Sequence, residues 1–226
     1  MDKDIGIIVA TPEEMKELKS IMQESQKIKI FDLDFYKGKI NNKNYILVKC
    51  GVGKVNAART TQILIDNFDI ESIINVGVAG GLNNYINIGD IVIGERLVQH
   101  DFDITAFGYE KGHISETGRF FESDKSLIEK CKKVKIKNVQ IILGTIASGD
   151  IFCTDIKMKE EIRTKFNGDC VEMEGASIAQ TAYLCNIPFL VIRAISDIPN
   201  GSNQIDYDEF VEKAAKNCAE FIKKMG

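Results

Sequence analysis

Histidine, paired cysteines, extended apolar stretches and any large excess of positive or negative charge are lacking in this sequence, and each shortage removes a class of function. Only His100 and His113 occur in 226 residues, with no paired ligand spacing, so neither a catalytic metal nor another cofactor is expected. Six cysteines are scattered without a Cys-x-x-Cys pair, which fits reduced core thiols in a cytoplasmic protein better than a disulfide framework. The first apolar run, Ile5–Ala10, is too short for a signal-peptide core or a membrane span and reads as a buried strand. A net charge of −4, with lysines dispersed among acids, gives no footprint for nucleic acid or an anionic membrane. A small-molecule partner is the expectation that remains.

What is present is alternation. Short apolar runs at Ile5–Ala10, Tyr45–Cys50, Ile73–Val78, Asp90–Ile93, Val139–Ile146 and Phe189–Ile195 alternate with periodic segments at Pro12–Ile21, Val55–Asn67, Leu127–Lys132, Met158–Phe166, Gly175–Cys185 and Tyr207–Lys224. This pattern predicts an α/β fold with a central sheet covered by helices on both faces. No Pro- or Ser-rich linker and no repeat interrupts it, so residues 1–226 are expected to form one domain. Phe35–Cys50 reads as two strands around an Asn-rich turn. Val98–Phe121 lacks periodicity and is long enough to be a functional loop.

Ligands in such folds collect beyond the carboxyl ends of strands, so the residues that follow each run deserve weight. Thr11-Pro12-Glu13-Glu14 forms a capping-box pattern, and Glu14 could instead serve as a base at a pocket rim; the two uses compete for one side chain. Asn75 to Gly81, with Val78, Ala79 and Gly80, is a strand running into a glycine turn where backbone can approach a ligand. Neither it nor Gly51-Val52-Gly53-Lys54 matches a phosphate-loop or dinucleotide fingerprint. In Glu172-Met173-Glu174, acids at a helix start complement its dipole, while a thioether between two carboxylates suits the apolar face and hydroxyls of a ribose. Arg193 lies inside an apolar strand ending in Ser196-Asp197, so it must pair with Glu172, Glu174 or another acid. Asp197 is either a turn residue or a strand-end acid whose burial suits it to donate a proton.

Six strings taken together, Gly6-Ile7-Ile8…Glu13-Glu14, Gly51-Val52-Gly53-Lys54-Val55-Asn56-Ala57-Ala58, Thr105-Ala106-Phe107-Gly108-Tyr109, Ser148-Gly149-Asp150, Val171-Glu172-Met173-Glu174 and Arg193-Ala194-Ile195-Ser196-Asp197, resemble the 5′-methylthioadenosine/S-adenosylhomocysteine nucleosidases across nearly the whole chain. The resemblance implies a nucleoside phosphorylase-like three-layer fold and a homodimer. It also implies cleavage of the N-glycosidic bond, with Asp197 protonating adenine N7, Glu14 assisting water and Glu174 holding the ribose hydroxyls. By the same resemblance Met173 packs on ribose, Phe152 stacks by the purine, backbone near Cys153 reads the adenine edge, Tyr207 and Phe210 line the 5′-thio pocket, and Phe107 comes from the neighbouring subunit. Glu172, Arg193, Ser196, Val78, Ala79 and Gly80 complete the expected substrate-binding set. Val78 replaces a common serine, Thr11 a methionine and Cys153 an aliphatic residue. The rival readings are a nucleoside phosphorylase, a futalosine-type hydrolase and a non-catalytic nucleoside binder. Phosphorolysis is disfavoured because Pro12-Glu13-Glu14 and Val78 offer nothing to a dianion.

Overall fold

Alternate residues of the first strand are both apolar because both sides are covered. In β1 (Asp4–Val9), Ile8 joins one buried cluster while Ile7 and Val9 join another. The same alternation marks β5 (Ile70–Gly81) and β10 (Phe189–Asp197), where Ile73 and Val191 face one way and Ile74 and Ile192 the other. The computed structural model describes residues 3–225.

Helices α2 (Lys54–Asn67) and α5 (Gly175–Leu184) supply Ala57, Leu64, Ile178 and Ala182 to the first cluster. Helices α1 (Pro12–Ser20), α3 (Lys125–Cys131) and α6 (Asn203–Met225) supply Leu18, Leu127, Cys218 and Phe221 to the second. The fold is therefore the expected mixed sheet with helices on both faces. A third cluster under α4 (Ile156–Phe166) gathers Leu82, Val98 and Phe166. No helix among the described residues is long and apolar enough to cross a membrane.

The Asn-rich turn is where the sequence puts it. Asn41 and Asn42, with φ of 49° and 64°, join β3 (Leu33–Ile40) to β4 (Lys43–Lys49), the left-handed pair that a two-residue hairpin requires. One unforeseen element is β2 (Gln23–Ile30), an edge strand paired to β3. Its residues are mostly exposed, so it carries no apolar alternation.

Pairing is what the sequence did not reveal. β5 lies between β1 and β10, parallel to both. β10 pairs with β6 (Ile91–Gln99), β6 with β8 (Ile141–Ser148), and β8 with β9 (Gly168–Glu172). β9 then returns to β5 through Gly80↔Val171 and Gly81↔Cys170. Five strands thus close a ring, from which β1, β4, β3 and β2 extend as an open sheet. The expected loop Val98–Phe121 begins inside β6, contains a 3₁₀ turn at Thr105–Phe107, and ends at β7 (Phe121–Glu122), which pairs with β6.

The ring is tied internally by one ion pair. Arg193, 1% exposed, donates to Glu172 through Nε (3.2 Å) and Nη2, to Asn75 Oδ1, and through Nη1 to the Ile192 carbonyl (3.1 Å). Glu172 also accepts from Ser148 Oγ and from the N–H groups of Glu174 (3.1 Å) and Gly175 (2.8 Å) at the start of α5. Removing one partner of a buried pair leaves the other charge uncompensated, typically at a cost of about 3–5 kcal/mol. Glu172→Gln is therefore expected to lower unfolding free energy by about that amount in a urea or guanidinium titration; a loss below about 1 kcal/mol contradicts the tie.

Candidate active site

β5 has a break along one edge. Its pairing with β1 stops at Asn75 and its pairing with β9 starts at Gly80, leaving residues 76–79 without a strand neighbour on that side. A cavity of about 450 Å³ opens there, bordered by the ends of β1, β5, β9 and β10. Its lining includes Glu14, Val78, Ala79, Gly80, Phe152, Glu172, Met173, Glu174, Ser196, Asp197 and Tyr207. Lining residues that the sequence did not single out are Gln204 and Asp208. A larger, shallower groove continues outward past Thr11 and Tyr207 to Glu13, Lys49 and Glu212; lacking convergent buried groups, it is the approach to the cavity.

Glu14 serves both the cap and the cavity, so the expected competition does not arise. Thr11 Oγ accepts its N–H (3.4 Å), while Glu14 Oε2 accepts from the N–H groups of Ala10 (2.7 Å) and Thr11 (3.0 Å). The other oxygen accepts from the unpaired edge of β5, Val78 N–H, at 3.0 Å. Burial raises the Glu14 pKa above the ordinary carboxylate value, against the pull of the Arg193 charge and these N–H donors.

Glu174 stands at the cap of α5 with no side-chain bond to the helix; its carboxylate instead accepts the Gly53 N–H at 2.8 Å. Gly53 takes φ of 99°, a conformation that favours glycine, to aim that N–H. Burial, then the adjacent Glu172 charge, push Glu174 up to about 8. The rest of the Gly51-Val52-Gly53-Lys54 loop is also engaged: Lys54 N–H meets Asp150 (2.8 Å) and Lys54 Nζ meets Asp101 (2.7 Å). A loop superficially like an anion cradle is filled by the protein's own carboxylates.

Asp197, 2% exposed, accepts from Ser196 Oγ at 2.7 Å and from Asn203 Nδ2 at 2.6 Å. Burial raises its pKa, and these two hydrogen bonds oppose the rise. Asn203 was invisible in the sequence, where Pro199-Asn200-Gly201-Ser202-Asn203 reads as turn chemistry.

Several expected substrate contacts fall outside the cavity wall. Arg193 does not line this cavity; its guanidinium is enclosed by Glu172 and Asn75. Cys153 lies in a small recess behind Phe152 and beside Asp197. Phe210 is half-buried on α6, with Lys213 Nζ 6.0 Å from its ring centre. Phe107 is 80% exposed in its 3₁₀ turn, and it does not line this chain's own cavity. Phe152 and Tyr207 do line it, meeting edge-on with ring centres 5.7 Å apart. Among the described residues no group of three or more His, Cys, Asp or Glu side chains is arranged to hold a metal ion.

The same sequence pattern and fold recur among known proteins. Residues 4–225 match the family model described as "Phosphorylase superfamily". A curated relative from Staphylococcus aureus (strain bovine RF122 / ET3-1), a 5′-methylthioadenosine/S-adenosylhomocysteine nucleosidase, is 40% identical over 224 residues, 98% of each chain. A solved nucleosidase of that name from Neisseria meningitidis, in complex with methylthio-immucillin-A, superposes with a TM-score of 0.96 at 36% identity, covering 99% of this chain and 98% of the other. The futalosine hydrolase of Helicobacter pylori strain 26695 superposes with a TM-score of 0.94 at 34% identity, covering 99% and 97%. Full-length likeness in both sequence and fold places this chain in the phosphorylase superfamily, as a member of its 5′-methylthioadenosine/S-adenosylhomocysteine nucleosidase family.

Proposed function

We propose that this chain hydrolyses the N-glycosidic bond of 5′-methylthioadenosine and S-adenosylhomocysteine, with 5′-deoxyadenosine as a further substrate, releasing adenine and the 5′-modified ribose. One observation carries the choice of water over phosphate: the cavity is bordered by Glu14, Glu172, Glu174 and Asp197, with no lysine, arginine or histidine among its described lining residues. A phosphate dianion entering there would meet carboxylates and no cation. The nearest guanidinium, Arg193, is neutralised by Glu172.

Breaking the bond leaves electrons on the base and positive charge on the sugar, so the site must meet both demands. Asp197, whose burial raises its pKa, gives a proton to adenine N7 as the base departs. Glu174 holds the ribose hydroxyls and, once ionised, stabilises the developing cation, while Met173 packs against the sugar. Glu14 takes a proton from the attacking water; its two oxygens receive three backbone N–H bonds, which fix its direction. Phe152 and Tyr207 flank the base and the 5′ substituent. The likeness to a futalosine hydrolase supports including a nucleoside with a bulkier 5′ group in any substrate panel.

The active particle is a homodimer in the cytoplasm. Phe107, Val55 and Ile156 are 80%, 78% and 55% exposed, apolar side chains that a second subunit would cover, with Phe107 reaching the partner's cavity. Six cysteines without disulfides suit a reducing compartment. Sedimentation at micromolar concentration is expected to give a dimer, and a monomer alone would remove this part.

Adenine release from methylthioadenosine is expected to proceed in phosphate-free buffer at the rate seen with phosphate; strict dependence on phosphate would make the enzyme a phosphorylase. Asp197→Asn is expected to bind substrate and lose about 10²–10⁴-fold in kcat; wild-type turnover would remove Asp197 from the mechanism. The profile of kcat/KM against pH is expected to be bell-shaped. Activity rises as Glu14 ionises, above the ordinary carboxylate range because burial raises its pKa, and falls as Asp197 loses its proton. A flat profile from pH 4 to pH 9, a range of about five units, contradicts this pairing.

A further inference from the structure

We propose that Asn203 is a positioning residue for Asp197: its amide, oriented by the Cys153 carbonyl, fixes the acid that protonates the leaving base. This rests on the reading of Asp197 as the proton donor. Of the two side chains among the described residues that donate to Asp197, Ser196 is its neighbour in the chain and moves with it. Asn203 belongs to a different element, the first residue of α6, and is the anchor from outside β10.

The amide's orientation is determined by what surrounds it. Nδ2 donates one hydrogen to Asp197 Oδ2 at 2.6 Å and one to the Cys153 carbonyl at 3.0 Å. Turning the amide over would set its oxygen against two acceptors. Asn203 is fully buried, and its Oδ1 finds no hydrogen-bond partner. Buried polar atoms are normally paired, so this side chain is poorly explained by its own packing and well explained by what its nitrogen does. The segment is latched as well, since Gly201 N–H donates to the Thr154 carbonyl at 3.0 Å. Asn203 thereby links the end of β10 to the stretch following β8 that carries Phe152 and Cys153.

The arrangement also selects which oxygen carries the proton. Oδ2 is taken by the Asn203 N–H, so the acidic hydrogen belongs on Oδ1. Ser196 Oγ lies 2.7 Å from Oδ1 and 3.4 Å from the Ala79 carbonyl, so its hydroxyl can turn to Ala79 when Oδ1 is protonated. Val78 lines the same cavity and brings no side-chain donor. The charged or titratable groups facing Asp197 are Asp206 and Tyr207 of α6 and Cys153.

The test uses the full chain and two substrates: methylthioadenosine, whose base must be protonated to leave, and a 5-methylthioribosyl 4-nitrophenyl ether, whose phenolate leaves unaided. Asn203→Ala is expected to lower kcat on the nucleoside by about tenfold to a hundredfold, with KM and aryl-riboside turnover held within about threefold. The basic limb of kcat/KM should move to higher pH, because the hydrogen bond that favoured ionised Asp197 is gone. Asn203→Ser, which keeps a polar group at this first helical residue but is too short to reach Asp197, should repeat the selective loss if the alanine variant folds poorly. Equal losses on both substrates, or no loss on either, overturn the proposal. Asp197→Asn is the control: if it also spares the nucleoside reaction, the reading of Asp197 fails, whereas loss there with none at Asn203 defeats this proposal alone.

Discussion

Arg193 carries a charge into the interior of the strand ring, where no solvent can screen it, and the local architecture answers to that fact. Its guanidinium demands a carboxylate, which Glu172 supplies, and Glu172 in turn gathers Ser148 and the first N–H groups of α5. Side chains from β5, β8, β9 and β10 therefore meet at one ion pair. Buried pairs of this kind are weak evidence for added stability and better evidence for fixed geometry. Here the geometry fixed is the turn from β9 into α5, which delivers Met173 and Glu174 to the cavity.

The cavity is a consequence of the sheet's two habits. As an open sheet it continues from β5 to β1; as a ring it leaves β5 for β9. Between those partners β5 exposes backbone that would otherwise be paired, and Glu14 supplies the acceptor for Val78 N–H. A capping residue of α1 is thereby brought opposite the ends of β9 and β10. Acids distant in the chain converge with their carboxylates already hydrogen-bonded, so little reorganisation accompanies the chemistry. The same enclosure raises the pKa of Glu14, Glu174 and Asp197 by desolvation.

Much of this was legible in the residues. Arg193 within an apolar run required an acidic partner, and Glu172 was among those named. Thr11, Pro12 and Glu14 announced a helix start, and Asn41-Asn42 announced a hairpin. Burial is what makes a strand readable, so exposed β2 left no trace. β6 was cut short at Ile93 because Glu95 and Arg96 follow a register shift after Gly94. β9 was missed because Asp169 interrupts its apolar sequence, although the Asp169 carboxylate is occupied by Thr145 N–H (2.8 Å) and Asn83 (2.8 Å). Ring closure and the second use of Glu14 depend on pairing between remote segments, which periodicity does not encode. Asn203 was concealed by neighbours that favour turns.

Glu14, Glu174 and Asp197 are expected to enclose one purine riboside from different sides. A crystal structure of this chain with methylthio-immucillin-A tests that arrangement most directly. The Asp197 carboxyl is expected within hydrogen-bond reach of the purine's five-membered ring, Glu174 on the sugar hydroxyls, and Glu14 on the opposite face of the sugar with an ordered water between them. An analogue bound elsewhere, or Glu14 turned away from the anomeric position, would contradict it.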